Sequence, residues 1–228
     1  MNESYLLAKD DLLVQDEEIV KNRYAYRIIK RTFDICVSLV GLLFLLPIAL
    51  VIKIAYLLSK DTVPIFFTQD RIGKNGKLFK FYKFRSMCKD ADEVLFKALK
   101  ENKELREEYD LNKKLKNDPR ITKVGKIIRK LSIDELPQLI NILKGDMTLI
   151  GNRPYLPREK EDMGVYFEDI VKTKPGLTGY WQVSGRSNTS FNDRLILERY
   201  YSRHCSLWLD VKIFFKTFKV VLFGKGAE

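Results

Sequence analysis

The hydrophobic pattern is dominated by one long apolar run, residues 35–52, which contains no charged residue. Its 18 residues meet the lower limit for a membrane-crossing helix, about 18 residues. Pro47 lies inside the run, and a proline removes a backbone donor and bends a helix. Basic residues, including Lys30 and Arg31, flank the run on both sides, and positive flanks stay on the cytoplasmic face of a membrane.

Two basic flanks and an internal proline together favour a bent, re-entrant membrane helix over residues 23–58. Such a helix enters and leaves by the same face. A single membrane span and a buried core helix are the alternative interpretations of this run. The residues before it, 1–22, are polar and acidic and predict a short tail or surface helix.

Shorter patterns predict the next elements. Residues 63–85 contain two apolar runs around Gly73-Lys74-Asn75-Gly76, which predicts a β-hairpin with a tight turn. Residues 89–116 place leucines at helical spacing among Lys and Glu, which indicates one exposed amphipathic helix. An Asn-Asp-Pro sequence at 117–119 ends that helix, and a second, basic helix is predicted over 122–130.

The C-terminal half is predicted to be mainly helical. Residues 131–151 place Leu136, Leu139, Ile140 and Leu143 on one helix face, with a stop at Lys144-Gly145. The Gly/Pro-rich stretch 173–186 predicts a loop without a clear element. Two helices follow, at about 191–203 and 206–223. The last one carries a lysine stripe opposite a Phe/Val stripe, which suits either a membrane interface or packing on the core.

The predicted fold class is therefore α+β and mostly helical. It combines a re-entrant N-terminal membrane helix and a small β-hairpin with a helical cytoplasmic catalytic domain that has amphipathic interfacial helices. The predicted organisation is a tail (1–22), a membrane element (23–58) and a catalytic domain (59–228), the last two forming one functional unit.

The excess of basic residues indicates an anionic partner. The chain of 228 residues has 41 Lys and Arg against 30 Asp and Glu, a net charge of +11. Such an excess points to nucleic acid, membrane lipid or a phosphorylated substrate. Three scattered cysteines and one histidine argue against a disulfide framework, a zinc site and a Ser-His hydrolase. No phosphate-binding loop or dinucleotide fingerprint is present.

The adjacent carboxylates Asp134 and Glu135 are the main candidates for chemistry. They lie near a predicted helix start, where backbone N–H groups favour negative charge or bind phosphate. Ser132 to Glu135 also fits an S-x-x-E capping box, so the alternative interpretation of Glu135 is that it caps the start of a helix. Pro137 belongs in a first helical turn and favours a later start.

Basic residues surround this pair on both sides, and arginine binds phosphate oxygens in pairs. A carboxylate serves as a nucleophile toward phosphorus or as a magnesium ligand. Carboxylates among bases, next to a membrane element, therefore indicate chemistry on a phosphate ester at a bilayer surface.

Several sequence blocks in a fixed order resemble the bacterial sugar transferases, the monotopic phosphoglycosyl transferases that act on a polyprenyl carrier. The resemblance runs from about Tyr26 to the C-terminus. Its blocks are KRTFD (30–34), FFTQDRIGKNGKLFKFYKFRSM (66–87), DPRITKVGKIIRKLSIDELPQLINILKGDM (118–147), IGNRP (150–154), KPGLTGYWQVSGR (174–186) and LILERYYSRHCSLWLDVKIFFKTFKVVL (195–222).

This resemblance implies a function and a mechanism. Asp134, the Asp of the DEL sequence, is the expected covalent nucleophile toward the β-phosphate of a UDP-sugar. UMP leaves, and undecaprenyl phosphate then takes the sugar phosphate in a second step. The resemblance also implies Mg²⁺ held by Asp134, with Glu135 completing a catalytic dyad. The overall reaction would be the first membrane step of exopolysaccharide, O-antigen or capsule assembly.

The resemblance further implies contacts to phosphate and nucleotide from four bases. They are Lys83 of YKFR, Arg129 of IIRK, Arg153 of NRP and Arg186 of SGR. Glu198 of LERYY stands where relatives often carry Asp and is expected in the same site.

Two departures from the family pattern stand out. Asn152 replaces a common Pro and raises the question of how stiff its loop is. Leu46 replaces the Ser that precedes the membrane proline in some relatives, so the bend would rest on Pro47 alone.

The charged insert at 95–119 and the SNTSFNDR stretch most resemble hexose-1-phosphate transferases that use UDP-galactose or UDP-glucose. Larger members carry extra N-terminal spans, so the chain is expected to be the catalytic unit alone. The expected location is the bacterial inner membrane with the catalytic domain on the cytoplasmic face, bound to anionic lipid. A homo-oligomer is compatible with the sequence. The alternatives are a non-catalytic basic membrane scaffold and, third, a nucleic-acid-binding protein, for which no recognised module is present.

Overall fold

The structure of the chain is a computed structural model that describes residues 23–112, 115–184 and 189–222. Its elements, in chain order, are α1 (Arg23–Leu58), β1 (Phe66–Ile72), β2 (Leu78–Phe84), α2 (Ala91–Glu101), α3 (Lys103–Asn112), α4 (Lys123–Lys130), α5 (Gln138–Lys144), β3 (Thr148–Ile150), α6 (Lys160–Met163), α7 (Phe167–Ile170), β4 (Gly176–Thr178), α8 (Tyr180–Ser184), α9 (Phe191–His204) and α10 (Leu207–Leu222). The mostly helical α+β prediction, with small sheets and one long apolar N-terminal helix, is confirmed. The predicted tail, 1–22, lies outside the described residues.

Most predicted elements exist, and their bounds are corrected in three places. The hairpin β1–β2 turns through the 3-10 segment Lys74–Gly76, as predicted. The single charged helix over 89–116 is wrong, because the chain is extended at Asn102 and begins a second helix there. The Asn102 side chain accepts the Leu105 N–H and so caps α3, a use of asparagine that competes with helix continuation.

The other two corrections concern short elements. The stretch 173–186 contains β4 and α8 where a loop was predicted. The helix predicted within 131–151 ends at Lys144, as the predicted stop at Lys144-Gly145 requires, and the unpredicted strand β3 follows it. Strands of three residues are too short to show an alternating pattern, so the sequence carried no signal for them.

The described residues group into two compact units. The first contains residues 23–42, 68–81 and the described part of 138–222. The second contains residues 43–67, 82–112 and 115–137.

The first unit is built on the parallel pair β3–β4, in which Thr148 faces Gly176 and Ile150 faces Thr178. Glycine is required where the segments of β3 and β4 approach each other, because a Cβ on Gly176 would lie 2.1 Å from the Gly151 nitrogen. A cluster of buried side chains packs nearby; its members are Ile72, Tyr155, Met163, Ile170, Val171 and Leu195. This close backbone contact fixes the start of the loop that carries Arg153.

The N-terminal turns of α1 are fastened to the same unit by charged side chains. The Lys30 ammonium contacts Asp210 on α10 and donates to the Ile150 carbonyl and the Tyr201 hydroxyl. The Arg31 guanidinium donates to the carbonyls of Ile142 and Leu143, which lie in the last turn of α5 where the helix supplies no i+4 N–H. Both predicted membrane-flank bases therefore make internal contacts.

Asp34 completes this attachment. Its buried carboxylate accepts the Leu149 N–H at 2.8 Å and the Thr148 hydroxyl at 3.0 Å. Asp34 lies next to the apolar run, where an unpaired carboxylate would be costly to bury. The KRTFD block thus provides three polar side chains that each find a partner in the fold.

The second unit is organised around Arg85, which is 7% exposed. Its guanidinium binds Asp61 through two hydrogen bonds of 2.9 and 3.0 Å and lies 4.2 Å from the centroid of the Tyr56 ring. The Tyr56 hydroxyl donates to the Arg85 carbonyl. These contacts join the end of α1 to β2 within this unit.

The apolar part of α1 has the exposure expected of a lipid-facing helix. Only 17% of its most hydrophobic 18-residue window is buried, whereas a core helix of a water-soluble protein is mostly buried. This supports membrane association and disfavours the core-helix interpretation. The helix is continuous through Pro47. A re-entrant path through the membrane therefore stays a prediction.

Replacing Asp210 by Ala should lower the free energy of unfolding of the first unit by about 3–5 kcal/mol, because it leaves the Lys30 ammonium poorly compensated in a site that is 18% exposed. Thermal unfolding of the detergent-solubilised chain measures this. The control is Glu107→Ala at the exposed Lys103–Glu107 pair, where a change within about 0.5 kcal/mol is expected. Equal losses in both variants would show that the Lys30–Asp210 contact is not an anchor.

Candidate active site

Asp134 lies in a 3-10 turn, Ile133–Glu135, between α4 and α5. The residue before the turn, Ser132, has a φ of 54° in the left-handed region and makes no side-chain cap. The predicted capping box is therefore wrong, since a capping residue needs extended backbone. The later helix start indicated by Pro137 is confirmed, because α5 begins at Gln138.

One ammonium lies beside both candidate carboxylates. The Lys83 Nζ atom is 3.4 Å from Asp134 Oδ2 and 3.4 Å from Glu135 Oε1. The Asp134 side chain is 11% exposed and that of Glu135 is 41% exposed. A shared positive charge offsets the repulsion between two adjacent carboxylates, and it does so more effectively where water is partly excluded. The arrangement leaves Asp134 enclosed and Glu135 open to solvent.

Arg129 is placed near this segment of the chain by an unusually close backbone contact. Thr122 caps α4 by accepting the Gly125 N–H, and a Cβ on Gly125 would lie 1.9 Å from the Ser86 carbonyl oxygen. Only glycine allows this approach. The Arg129 Nε then donates to the Ser86 hydroxyl at 2.9 Å. Within the described chain, the Nη groups of Arg129 make no hydrogen bond, so they remain open to an anion.

The carboxylates suit a magnesium ion that is shared with substrate. Among the described residues, no group of three or more His, Cys, Asp or Glu could form a protein cage for a metal. Mg²⁺ is commonly bound by one or two carboxylates together with substrate phosphates. Asp134 and Glu135 meet that requirement, and the chemistry of the pair fits the expected ion.

The first unit brings together two further residues predicted for the site. Glu198, on α9, is 2% exposed, and its Oε1 accepts the backbone N–H of Arg153 at 3.1 Å. Arg153 follows Asn152, whose amide group donates to Ser202 at 2.6 Å, to the Ile170 carbonyl and to Thr173. These three hydrogen bonds hold the loop at Asn152.

Burial raises the pKa of Glu198 from its ordinary value to about 7. The Tyr155 hydroxyl, the Arg153 N–H and the guanidinium charges of Arg194 and Arg153 limit this rise of the Glu198 pKa. The neighbouring Tyr155 hydroxyl is also buried, and burial raises its pKa well above the usual value. Glu198 therefore titrates near neutral pH inside a cluster of cations.

Several residues of these clusters were not predicted. Arg85 and Asp61 form a buried pair that the sequence does not reveal, because the two residues are 24 positions apart. Arg194 and Trp181 lie with Glu198 in the first unit. The available signal for Arg194 was its spacing of four residues before Glu198 on a predicted helix. Arg186 lies outside the described residues.

Comparison with known proteins gives a consistent result. The model of the bacterial sugar transferase family matches residues 25–224. The chain is 43% identical to the undecaprenyl-phosphate galactose phosphotransferase of Salmonella typhimurium over 98% of its own length and 46% of that protein. It is 46% identical to the galactosyl transferase CpsE of Streptococcus agalactiae over 90% of its length and 45% of that protein. It is 42% identical to the exopolysaccharide production protein ExoY of Rhizobium meliloti over 87% of each chain. The chain thus spans less than half of the first two relatives and most of the third.

The raised pKa of Glu198 makes a stability prediction with a defined sign. Between about pH 4.5 and pH 7 the folded protein keeps a proton that the unfolded chain releases, so stability should fall as pH rises through this window and then level off. The effect is at most about 3 kcal/mol, at about 1.4 kcal/mol per pKa unit. Glu198→Gln should remove this component.

The measurement is thermal unfolding of both proteins in detergent from pH 4.5 to pH 8. The stability of the variant relative to the unchanged protein should increase with pH and become constant above about pH 7. A difference that is independent of pH would contradict the raised pKa.

Proposed function

The chain belongs to the bacterial sugar transferase family, and from this we propose that it transfers a sugar-1-phosphate from a UDP-sugar to undecaprenyl phosphate and releases UMP. The observation that carries the proposal is the Lys83 ammonium within 3.4 Å of both Asp134 and Glu135. An enclosed carboxylate next to a fixed positive charge is equipped to approach an anionic phosphate.

In the proposed first step, an Asp134 carboxylate oxygen forms a bond to the β-phosphorus of the UDP-sugar. The bond from that phosphorus to the bridging oxygen breaks, and its electron pair leaves with UMP. In the second step, an oxygen of undecaprenyl phosphate attacks the same phosphorus and Asp134 leaves as a free carboxylate. A covalent intermediate divides a difficult encounter between two anions into two easier steps.

The charges around Asp134 support this scheme. Lys83 reduces the negative charge that an incoming diphosphate meets at the two carboxylates. Arg129, with its Nη groups open, offers the fork geometry that binds phosphate oxygens in pairs. Magnesium, held by Asp134 with Glu135 beside it, would supply further charge neutralisation for the phosphates. Arg153, Arg186 and Glu198 are proposed to serve the phosphate and nucleotide groups of the substrates.

The donor is proposed to be UDP-galactose or UDP-glucose. One relative that is 43% identical is named an undecaprenyl-phosphate galactose phosphotransferase, and another that is 35% identical is named a glucose phosphotransferase. The ExoY relatives are named as exopolysaccharide production proteins. We therefore propose that the reaction is the first membrane step in the assembly of a surface polysaccharide.

The location that fits this reaction is the cytoplasmic face of the bacterial inner membrane, where UDP-sugars are available. The exposed apolar surface of α1 supports insertion into lipid. On α10, Trp208, Phe215 and Phe218 are exposed and suit a membrane interface. Since Lys30 and Arg31 make internal contacts, attraction to anionic lipid would depend on the other bases that flank α1.

Replacing Asp134 by Asn should lower the rate of UMP release from a UDP-hexose at least about a thousandfold, because the amide is not a nucleophile toward phosphorus. The assay uses the detergent-solubilised chain with magnesium and a polyprenyl phosphate. Asp162→Asn, at an exposed acid on α6, serves as control and should keep normal turnover.

Two results would overturn the mechanism or the function. An Asp134→Asn protein that retains activity excludes this residue as the nucleophile. An unchanged protein that releases no UMP from any UDP-sugar, while it still binds membranes, favours the basic scaffold.

A re-entrant path predicts that both ends of the apolar run are reached from the same side of the membrane. Single cysteines at Arg27 and Lys60, in a chain whose native cysteines are replaced, would be treated with a membrane-impermeant thiol reagent. In inside-out vesicles of the inner membrane both sites should react, and in intact spheroplasts neither should. Labelling of the two sites from opposite sides would show a single span.

A further inference from the structure

The first unit contains two guanidinium groups over one aromatic ring. The Arg194 Cζ atom lies 4.2 Å from the centroid of the Trp181 ring, and the Arg153 Cζ atom lies 5.9 Å from it. The indole is itself fixed, because its Nε1 donates to the Thr189 hydroxyl at 2.7 Å. Arg153 comes from the loop after β3, Trp181 from α8 and Arg194 from α9, so three separate segments converge here.

Two buried guanidinium nitrogens at this place, Arg153 Nε and Arg194 Nε, have no hydrogen-bond partner among the described residues. The Tyr155 hydroxyl and the Glu198 carboxylate are also buried here and interact with each other. Buried polar groups are nearly always paired in folded proteins, and each exception requires an explanation. Two unpaired guanidinium donors side by side indicate that a ligand normally supplies the acceptors.

The electrostatic balance of the cluster agrees with this. The side chains of Arg153 and Arg194 are close enough to repel each other, and burial together with that repulsion lowers the pKa of Arg194. Glu198 and Glu159 are the carboxylates that act on Arg194, and one oxygen of Glu198 is committed to the Arg153 N–H. Because burial raises the pKa of Glu198 to about 7, its negative charge only partly offsets two cations. An anion would complete the balance.

A second arginine on the same helix shows what a structural role looks like. Arg199 also lies over an aromatic ring, that of Tyr166, but its Nε donates to Asp169 at 2.8 Å. Asp169 joins α7 to α9 by accepting from Arg203 as well. Arg194 has no such carboxylate hydrogen bond in the described chain.

We propose that Arg194, together with Arg153, forms a phosphate-binding pocket on the Trp181 ring, with Tyr155 and Glu198 as its buried polar wall. Two guanidinium forks present several donors to the oxygens of a phosphate or diphosphate, the ligand geometry that arginine matches best. This assigns a binding role to Arg194, Trp181 and Tyr155 that the family motifs did not indicate. The identity of the ligand rests on the proposed function, whereas the anion site itself does not.

Two substrates of the proposed reaction carry this chemistry, the diphosphate of the UDP-sugar and the phosphate of the lipid carrier. Kinetics distinguish them. In a two-step reaction each substrate has its own KM, so loss of a contact to one of them raises that KM and leaves the other almost unchanged. Arg194→Gln should raise one of the two KM values about tenfold or more, with kcat altered less than about threefold.

Arg194→Lys tests the fork geometry and provides a second variant if Arg194→Gln does not fold. Lysine keeps the charge but lacks the paired donors, so its KM should fall between those of the unchanged protein and the glutamine variant. Arg199→Gln is the matched control. It should reduce thermal stability by breaking the Asp169 contact and leave both KM values within about twofold.

A binding measurement that needs no turnover separates this inference from the proposed function. Inorganic pyrophosphate and UMP are added to the full chain in detergent, and thermal unfolding is recorded. Pyrophosphate should raise the Tm of the unchanged protein and of Arg199→Gln, and should raise that of Arg194→Gln much less. If this pattern holds in a protein that turns over no UDP-sugar, the pocket stands and the proposed function fails.

The reverse outcomes overturn the inference. Turnover with both KM values unchanged in Arg194→Gln, and with an undiminished response to pyrophosphate, would show that Arg194 only covers Trp181. The same conclusion follows if Arg199→Gln raises a KM as much as Arg194→Gln does, because the effect would then come from a general disturbance of α9.

Discussion

The first unit depends on the pairing of charged side chains in the N-terminal turns of α1. This helix exposes an apolar surface that water disfavours, and its attachment to the first unit comes from the turns before that surface. Lys30, Arg31 and Asp34 provide it, and each has its partner on a different segment: α10, the end of α5, and β3. Burying these charges is tolerable only because every one is matched by an opposite charge or by backbone groups.

The same rule distinguishes two groups among the described arginines. Arg85, Arg120 and Arg199 bind Asp61, Asp118 and Asp169, respectively, within hydrogen-bond distance. Such pairs neutralise themselves and hold segments together. Among the described residues, Arg129, Arg153 and Arg194 have no carboxylate at that distance. The size of the net charge, +11, does not locate an anion site. Arg31 also lacks a carboxylate partner, but backbone carbonyls accept from its guanidinium, whereas Arg129, Arg153 and Arg194 are better suited to phosphate.

Sequence patterns predicted the elements that are long enough to show a period or that contain a strong local signal. The hairpin, α4, α9 and α10 belong to this group, and Pro137 correctly indicated the late start of α5. The pair β3–β4 was not predicted, because three-residue strands show no alternation and because parallel partners are distant in the sequence. The left-handed backbone conformation of Ser132 was not predicted for another reason. The surrounding turn imposes its φ of 54°, and serine itself does not prefer that region.

The candidate site was predictable in its residue types and much less so in its organisation. Motif resemblance singled out Asp134 and Lys83, and the structure places them 3.4 Å apart. Resemblance also singled out Arg153 and Glu198, yet their contact runs through a backbone N–H, which no side-chain pattern encodes. Arg194 and Arg199 are the same residue type on the same helix, five positions apart. Only the structure shows that one has a carboxylate partner within hydrogen-bond distance and the other does not, and the proposed binding role of Arg194 rests on that difference.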